Sequence, residues 1–417
     1  MAAPVLAVDF GTSNTAAAIL DGGRPRRLAI EAGGETLPTA VFFPADGGAM
    51  RIGRAAGAAL IDGDEGRYMR ALKSILGTAL FHESRLVGGR RQTLADIVTA
   101  FLARLKARAE AECGQVFDRV LSGRPVHFHS ADPARDAQAE ADLRGCWHAA
   151  GFETVEFLFE PEAAARASHG QGRDGETGLI VDIGGGTSDF SVFRVTGTGV
   201  RILASHGIRL GGTDFDHAVS MSHAMPLLGH GGQLRRTFGE GLLPVPNAIY
   251  SDLATWAKIP FLYTRDTLKL VKDMHAHAVD PVPMARLQSV IEDHLGHDLA
   301  FAVERGKIAA NAGDRAASID MGVIERGLAA PVSPASLNAA LQGYRADLQT
   351  AMRQTLFQAG VDAGQVDAVV LVGGSSLMGL VTEEAQAVCP QARMERSEAF
   401  TAVVDGLALA TGEAAQV

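Results

Sequence analysis

The residues in this chain with the plainest chemical use are small ones. Three apolar runs, ending at Phe10, Ile183 and Val372, each give way to a turn of glycine and hydroxyl residues: Gly11-Thr12-Ser13, Gly184-Gly185-Gly186-Thr187 and Gly373-Gly374-Ser375-Ser376. Turns without bulky side chains let backbone N–H groups close on an anion, and hydroxyls add donors, so the chemistry they suit is phosphate binding. Any one such turn reads as an ordinary β-turn. Aspartates stand just ahead of two of them, at Asp9 and Asp182. Carboxylates on opposed strands are suited to a hydrated divalent cation, the usual companion of nucleotide phosphates.

These residues need strands that end where the turns begin. Val5 to Phe10 breaks at Gly11 and resumes as Ala16-Ala17-Ala18-Ile19-Leu20 before Asp21-Gly22-Gly23, a hairpin signal. Leu179 to Phe193 has the same form of strand, Asp, Gly/Thr turn and strand, and a unit repeated after about 170 residues predicts two similar halves facing one another. The polar, Gly-rich stretch Ser168 to Gly178 is the expected boundary. Ile97, Phe101, Leu102, Leu105 and Ala109 recur at helical spacing and predict a helix from Thr93 to Glu112, stopped at Gly114. Loops are expected at Gly229-His230-Gly231-Gly232 and Pro281-Val282-Pro283, a strand at Val366 to Val372, and a last helix closing near Gly412.

Composition narrows the function classes. The chain has 417 residues, enough for two to four domains, with 47% hydrophobic and 21% charged residues, the balance of a folded globular protein. Its net charge of −10 disfavours a grip on nucleic acid or on an anionic membrane. The odd set Cys113, Cys146 and Cys389 contains no CxxC pair, which points to a reducing compartment and away from disulfides or a thiolate zinc site. There is no leader-like N-terminus and no run of about 20 apolar residues, so a cytoplasmic location is expected. His127 with His129, and His275 with His277, alternate as they would along one strand face, but each pair lacks a third ligand at suggestive spacing. No arrangement marks a covalent nucleophile.

Asp9-Phe10-Gly11-Thr12-Ser13, Asp182 to Asp189 and Leu371 to Ser376 resemble the phosphate 1, phosphate 2 and adenosine motifs of the actin-like ATPase superfamily. The nearest resemblance within it is to the heat-shock protein 70 (DnaK-type) chaperones. Leu72-Lys73-Ser74-Ile75-Leu76-Gly77, Glu160-Pro161-Glu162-Ala163-Ala164-Ala165 and Leu210-Gly211-Gly212-Thr213-Asp214-Phe215-Asp216 are similar to further family segments in the same order. The resemblance implies an α/β, two-lobed actin-like ATPase fold, with duplicated ribonuclease-H-like domains around a nucleotide cleft. Lobe I would be 1–173 with a tip subdomain at about 38–112. Lobe II would be 174–417, with its core at 174–211 and about 335–417 and its tip at about 212–334, and the final helix would pack on lobe I.

The same resemblance implies ATP or ADP with Mg²⁺, and K⁺ as a further ion. Asp9 and Asp182 would hold the Mg²⁺ through water, Lys73 would orient the attacking water, and Glu160 and Asp189 would complete the acidic shell. Lys73 is one of only six lysines. Nucleotide contacts would come from Gly11, Thr12, Ser13, Asn14, Gly184, Gly185, Gly186, Thr187, Gly211, Gly212 and Thr213. Glu304, Lys307 and Asn311, spaced i, i+3 and i+7 on one helix face, match the adenosine-contacting residues, with Gly373, Gly374 and Ser375 across the base and ribose. Leu377 replaces an adenine-stacking Arg, and Phe400 stands where the family has an Asp, which weakens the expected grip on the base. The added length between Ala218 and Glu304 implies a remodelled surface where family members receive exchange partners.

The resemblance runs to about Gly412, so no peptide-binding domain is expected in the 417 residues. The chain therefore resembles the short YegD-type members, with a slow chaperone-type ATPase activity, unidentified partners or clients and no peptide clamp. Two other classes share the fold. One is a non-hydrolysing nucleotide-dependent scaffold or filament protein. The other is a small-molecule kinase, against which Lys73, Glu160 and Asp214-Phe215-Asp216 speak.

Overall fold

Apolar runs as continuous as Thr177–Ile183 and Ala368–Val372 suit strands covered on both faces, and in the computed structural model every residue of both is buried. The structure describes residues 4–62, 64–129, 132–169, 174–196, 199–237, 239–396 and 401–413. By the density of their internal contacts they form two compact units, Met1–Gly212 with Arg345–Val417, and Thr213–Tyr344.

The larger unit contains two sheets with one strand plan. In the first, Val5–Phe10, Asn14–Asp21 and Arg24–Arg27 form an antiparallel meander, and Arg119–Arg124 then Thr154–Phe159 extend it in parallel on the other side of Val5–Phe10. In the second, Thr177–Ile183, Ser188–Thr196 and Gly199–Ile208 form the meander, and Ala368–Val372 then Arg393–Arg396 extend it in parallel. Antiparallel neighbours need only tight turns, whereas parallel neighbours need crossovers, supplied by the helices Pro133–Ala149 and Gly379–Val388. The repeat seen in the sequence is therefore a repeat of topology. The strand expected from Val366 starts at Ala368.

Two helices join the sheets into one core. Ala163, Ala164 and Ala165 of Glu160–His169 and Val403, Val404, Leu407 and Ala408 of Ala402–Glu413 are buried with Ala7, Ala16 and Ala18 of the first sheet and Ile180, Phe193 and Val370 of the second. Small residues are required because the helices cross closely: a Cβ on Gly406 would lie 1.7 Å from the Ala163 carbonyl oxygen. Arg27 fixes the last helix to the first sheet through a fork of 2.9 and 2.7 Å onto Asp405. On the sheet's flank runs the helix Leu94–Cys113, begun by a Thr93–Asp96 capping box and ended by left-handed Gly114, as its periodicity predicts.

The Thr213–Tyr344 unit is mostly helical, with Arg265–His277, Pro281–Glu292 and Gly296–Asn311 and two small hairpins. Two expectations need correction. Pro281-Val282-Pro283 begins a helix and is not a loop: Asp280 caps it by accepting the Val282 N–H at 3.2 Å, and proline is tolerated in a first turn, where N–H groups have no helical partner. His275 and His277 lie on a helix, where residues two apart point in different directions, so they share no strand face. Among the described residues no helix is long and apolar enough to cross a membrane.

Candidate functional site

Two loops with the same closure carry the small residues. The Gly11 N–H donates to the Asn14 carbonyl at 3.0 Å, and the Gly184 N–H donates to the Thr187 carbonyl at 2.9 Å. Each loop follows an aspartate-bearing strand, and in the second sheet Asp182 is paired with Asp189 on one side and Val372 on the other, so Gly373 starts beside them. The two loops touch. A Cβ on Gly185 would sit 2.7 Å from Ser13 Oγ and 2.9 Å from Thr12 Cβ. The turn Leu210-Gly211-Gly212 packs on the second loop: Gly212 N–H donates to Gly184 O at 3.0 Å, and a Cβ on Gly211 would meet the Gly186 nitrogen at 2.5 Å. Glycine is needed here because the Gly211 turn packs against the Gly185–Gly186 backbone with no room for a side chain.

The charged residues gather under these loops. Lys73 sits in the one-turn 3-10 helix Leu72–Ile75, and its Nζ lies 2.6 Å from Oε1 of Glu160, the first residue of Glu160–His169. Both side chains are buried. Asp189 is pinned by the Val126 N–H, which donates to its Oδ1 at 2.7 Å.

Burial, and then the charge of Glu160, push Asp9 up to about 7 against some relief from Lys73. The same two causes carry Asp189 up to about 8. Asp182 is raised well above the usual carboxylate range by burial and by Glu160, Asp189 and Asp9. Burial opposes the Lys73 ammonium, but Glu160 and Asp9 outweigh it, and its pKa is raised. Four carboxyl groups with one ammonium form a buried site short of positive charge, the condition a bound cation relieves.

The donors fit a hydrated Mg²⁺: they are hard carboxylate oxygens, suited to its water shell. Among the described residues no group of three His, Cys, Asp or Glu side chains converges to ligate an ion directly. His127 and His129 share no strand face, contrary to their alternation in sequence. Residues 125–129 form no strand, His127 Nδ1 faces Asp136 at 3.4 Å, and His129 Nε2 bonds the Leu76 carbonyl at 2.7 Å.

Thr213, Glu304, Lys307 and Asn311 belong to the other unit. There Lys307 is buried, with Nζ 2.7 Å from Asp216 Oδ1, and Trp256 Nε1 donates to Asp216 Oδ2 at 3.1 Å. Burial raises the pKa of Asp216 while Lys307 draws it down. Leu377 is 40% exposed at the end of the one-turn helix Gly374–Leu377. Phe400 lies outside the described residues.

A cavity of ≈ 20 Å³, room for about one water, borders Thr12, Lys73, His129, Gly186, Thr187 and Arg209. Motif reading missed Arg209. Its only signal in the sequence is its place directly before Leu210-Gly211-Gly212. A much larger cavity, ≈ 970 Å³, lies away from the loops beside Val5, Leu121 and Phe157, and its four arginines are committed, Arg26 to Asp21, Arg119 to Glu156, Arg144 to Glu140 and Arg166 to Glu162. The model of one protein family, described as Hsp70 protein, matches residues 5–227, more than half of the chain. The match takes in Asp9, Lys73, Glu160, Asp182, Asp189, Gly211 and Gly212.

Proposed function

Because the chain belongs to the Hsp70 family, a family of nucleotide-binding chaperones with the actin-like ATPase fold, we propose that it is a slow, Mg²⁺-dependent ATPase. The observation that carries this reading is the junction of the Gly11–Asn14 and Gly184–Thr187 loops above a cluster of half-buried Asp9 and buried Glu160, Asp182 and Asp189 with Lys73 as its ammonium. Backbone N–H groups and the hydroxyls of Thr12, Ser13 and Thr187 receive the phosphates, with Gly373, Gly374 and Ser375 toward the adenosine. Asp9 and Asp182 would hold Mg²⁺ through water, with K⁺ as a further ion. When bound, Mg²⁺ supplies neutralisation of the phosphate charge.

Lys73, held by Glu160, donates a hydrogen bond to the attacking water and fixes its direction. The water oxygen bonds to the γ-phosphorus, and the bond from phosphorus to the β–γ bridging oxygen breaks with its electron pair leaving on ADP. One water proton stays on the phosphate and the other goes to solvent. Positioning and charge neutralisation supply most of such catalysis. Closure of the lobes on ATP is the output, read by partner proteins in the cytoplasm.

The test is single-turnover hydrolysis of ATP with Mg²⁺ and K⁺ by wild type and Lys73→Ala, with binding followed by calorimetry. Slow hydrolysis by wild type, together with a Lys73→Ala protein that binds ATP but leaves it intact, supports the reading. Binding without hydrolysis by both proteins replaces it with a nucleotide-dependent scaffold, and phosphate transfer only to an added small-molecule hydroxyl replaces it with a kinase.

A further inference from the structure

We infer that Arg209 is a second cation for the terminal phosphate of the nucleotide, an assignment that rests on the ATPase reading above. The backbone places it there. Arg209 follows the strand Gly199–Ile208, and the turn after it is tied to the phosphate loop: Ser188 Oγ donates to the Leu210 carbonyl at 2.7 Å and Gly212 N–H to Gly184 O at 3.0 Å. With no room for a side chain on Gly211 against Gly186, this turn and the Gly184–Thr187 loop are positioned as one piece.

The side chain then reaches the Lys73 turn. Nη1 of Arg209 lies 3.4 Å from His129 Nδ1, and Nη2 donates to the Ser74 carbonyl at 3.3 Å. His129 is buried and uses Nε2 as a donor to Leu76 O, which leaves Nδ1 as the acceptor facing Arg209. Both arginine contacts are near the long limit for hydrogen bonds and engage two of five N–H donors, so exchanging them for phosphate oxygens costs little. The guanidinium borders the same one-water space as Lys73, Thr12 and Thr187.

Charge makes the assignment specific. Lys73 is neutralised by Glu160 at 2.6 Å, whereas Arg209 has no carboxylate partner among the described residues. Its charge at this junction is therefore uncancelled by any described acid, and a planar guanidinium suits bidentate contact with a phosphate. It is also exposed, so it serves an incoming anion with little desolvation cost.

The experiment compares full-length wild type, Arg209→Ala and Arg209→Lys for ATP and ADP affinity with Mg²⁺, single-turnover rate, and thermal midpoint. Arg209→Ala is expected to lower the preference for ATP over ADP about 10-fold and the hydrolysis rate about 100-fold, with the midpoint and ADP affinity unchanged. Arg209→Lys should regain most of the ATP preference but not the rate. An ATP-to-ADP preference within twofold of wild type in Arg209→Ala overturns the inference, as does an equal loss of ADP affinity with a lowered midpoint, the mark of a brace. If wild type prefers ATP but does not hydrolyse it, the ATPase reading fails while the affinity ratio still judges Arg209. If wild type binds no nucleotide, both fall.

Discussion

Raising the pH should destabilise the larger unit, and Asp9→Asn should remove part of that effect. In the folded protein Asp9 is held at about 7 against an ordinary 3.8, chiefly by burial and then by Glu160. Between those values the folded state binds more protons than the unfolded one, so stability falls as pH rises. From pH 5 to the folded pKa is about two units, and at about 1.4 kcal/mol per unit Asp9 alone removes about 3 kcal/mol by pH 8. Asp182 and Asp189 act in the same direction, coupled to Asp9 through shared neighbours, so their contributions sum to less than independent terms. The raised pKa of Lys73 adds no slope here, because its ordinary 10.5 is already above the window.

Asparagine mimics the neutral acid. Asp9→Asn should therefore already exceed wild type by about 1.5 kcal/mol at pH 5, since the unfolded carboxyl ionises from 3.8 upward, and gain about 3 kcal/mol more by pH 8, roughly 1 M in urea midpoint for a protein of this size. The assay is urea unfolding from pH 5 to 8 without divalent cations. Tryptophan fluorescence is read in a Trp256→Phe background, so that Trp147 alone reports the larger unit. A gap between variant and wild type that stays constant with pH, or that closes as pH rises, would refute the reasoning that these carboxylates are strained by burial.

Three further outcomes are expected. Gly211→Ala puts a methyl group 2.5 Å from the Gly186 nitrogen, where backbone must move; nucleotide affinity by calorimetry should fall at least about 10-fold, and an unchanged Kd would show the loops to be independent. Asp216→Ala strands the buried Lys307 ammonium and should destabilise the Thr213–Tyr344 unit by about 3–5 kcal/mol, read on Trp256 fluorescence, whereas pairing Asp216→Leu with Lys307→Met should recover much of it. Gly406→Ala drives a methyl group into the Ala163 carbonyl at 1.7 Å and should cost about 3 kcal/mol by calorimetric unfolding; a thermal midpoint like that of wild type would place the helix crossing elsewhere.

Local chemistry is what the sequence by itself determined. Strand, aspartate and small-residue turn are contiguous at Asp9 and Asp182, and the Thr93 cap and Gly114 stop are signals within a few residues of the helix they bound, so all were legible without coordinates. The family could be named for the same reason, since its motifs are short and ordered along the chain. Signals that depend on context misled: Pro281-Val282-Pro283 marks a break or a helix start according to whether the residues after it continue as a helix, and alternation of His275 with His277 has meaning only if the segment is a strand.

Everything that depends on residues far apart in sequence was left to the tertiary structure. It decided that Lys73 and Glu160, 87 positions apart, meet as a buried pair, and that Lys307 is committed to Asp216. It also decided that Arg209 stands beside the Lys73 turn with no acid partner among the described residues. A charge's strength and availability are set by its desolvation and by the neighbours that folding brings to it, and neither is written in the residues next to it along the chain.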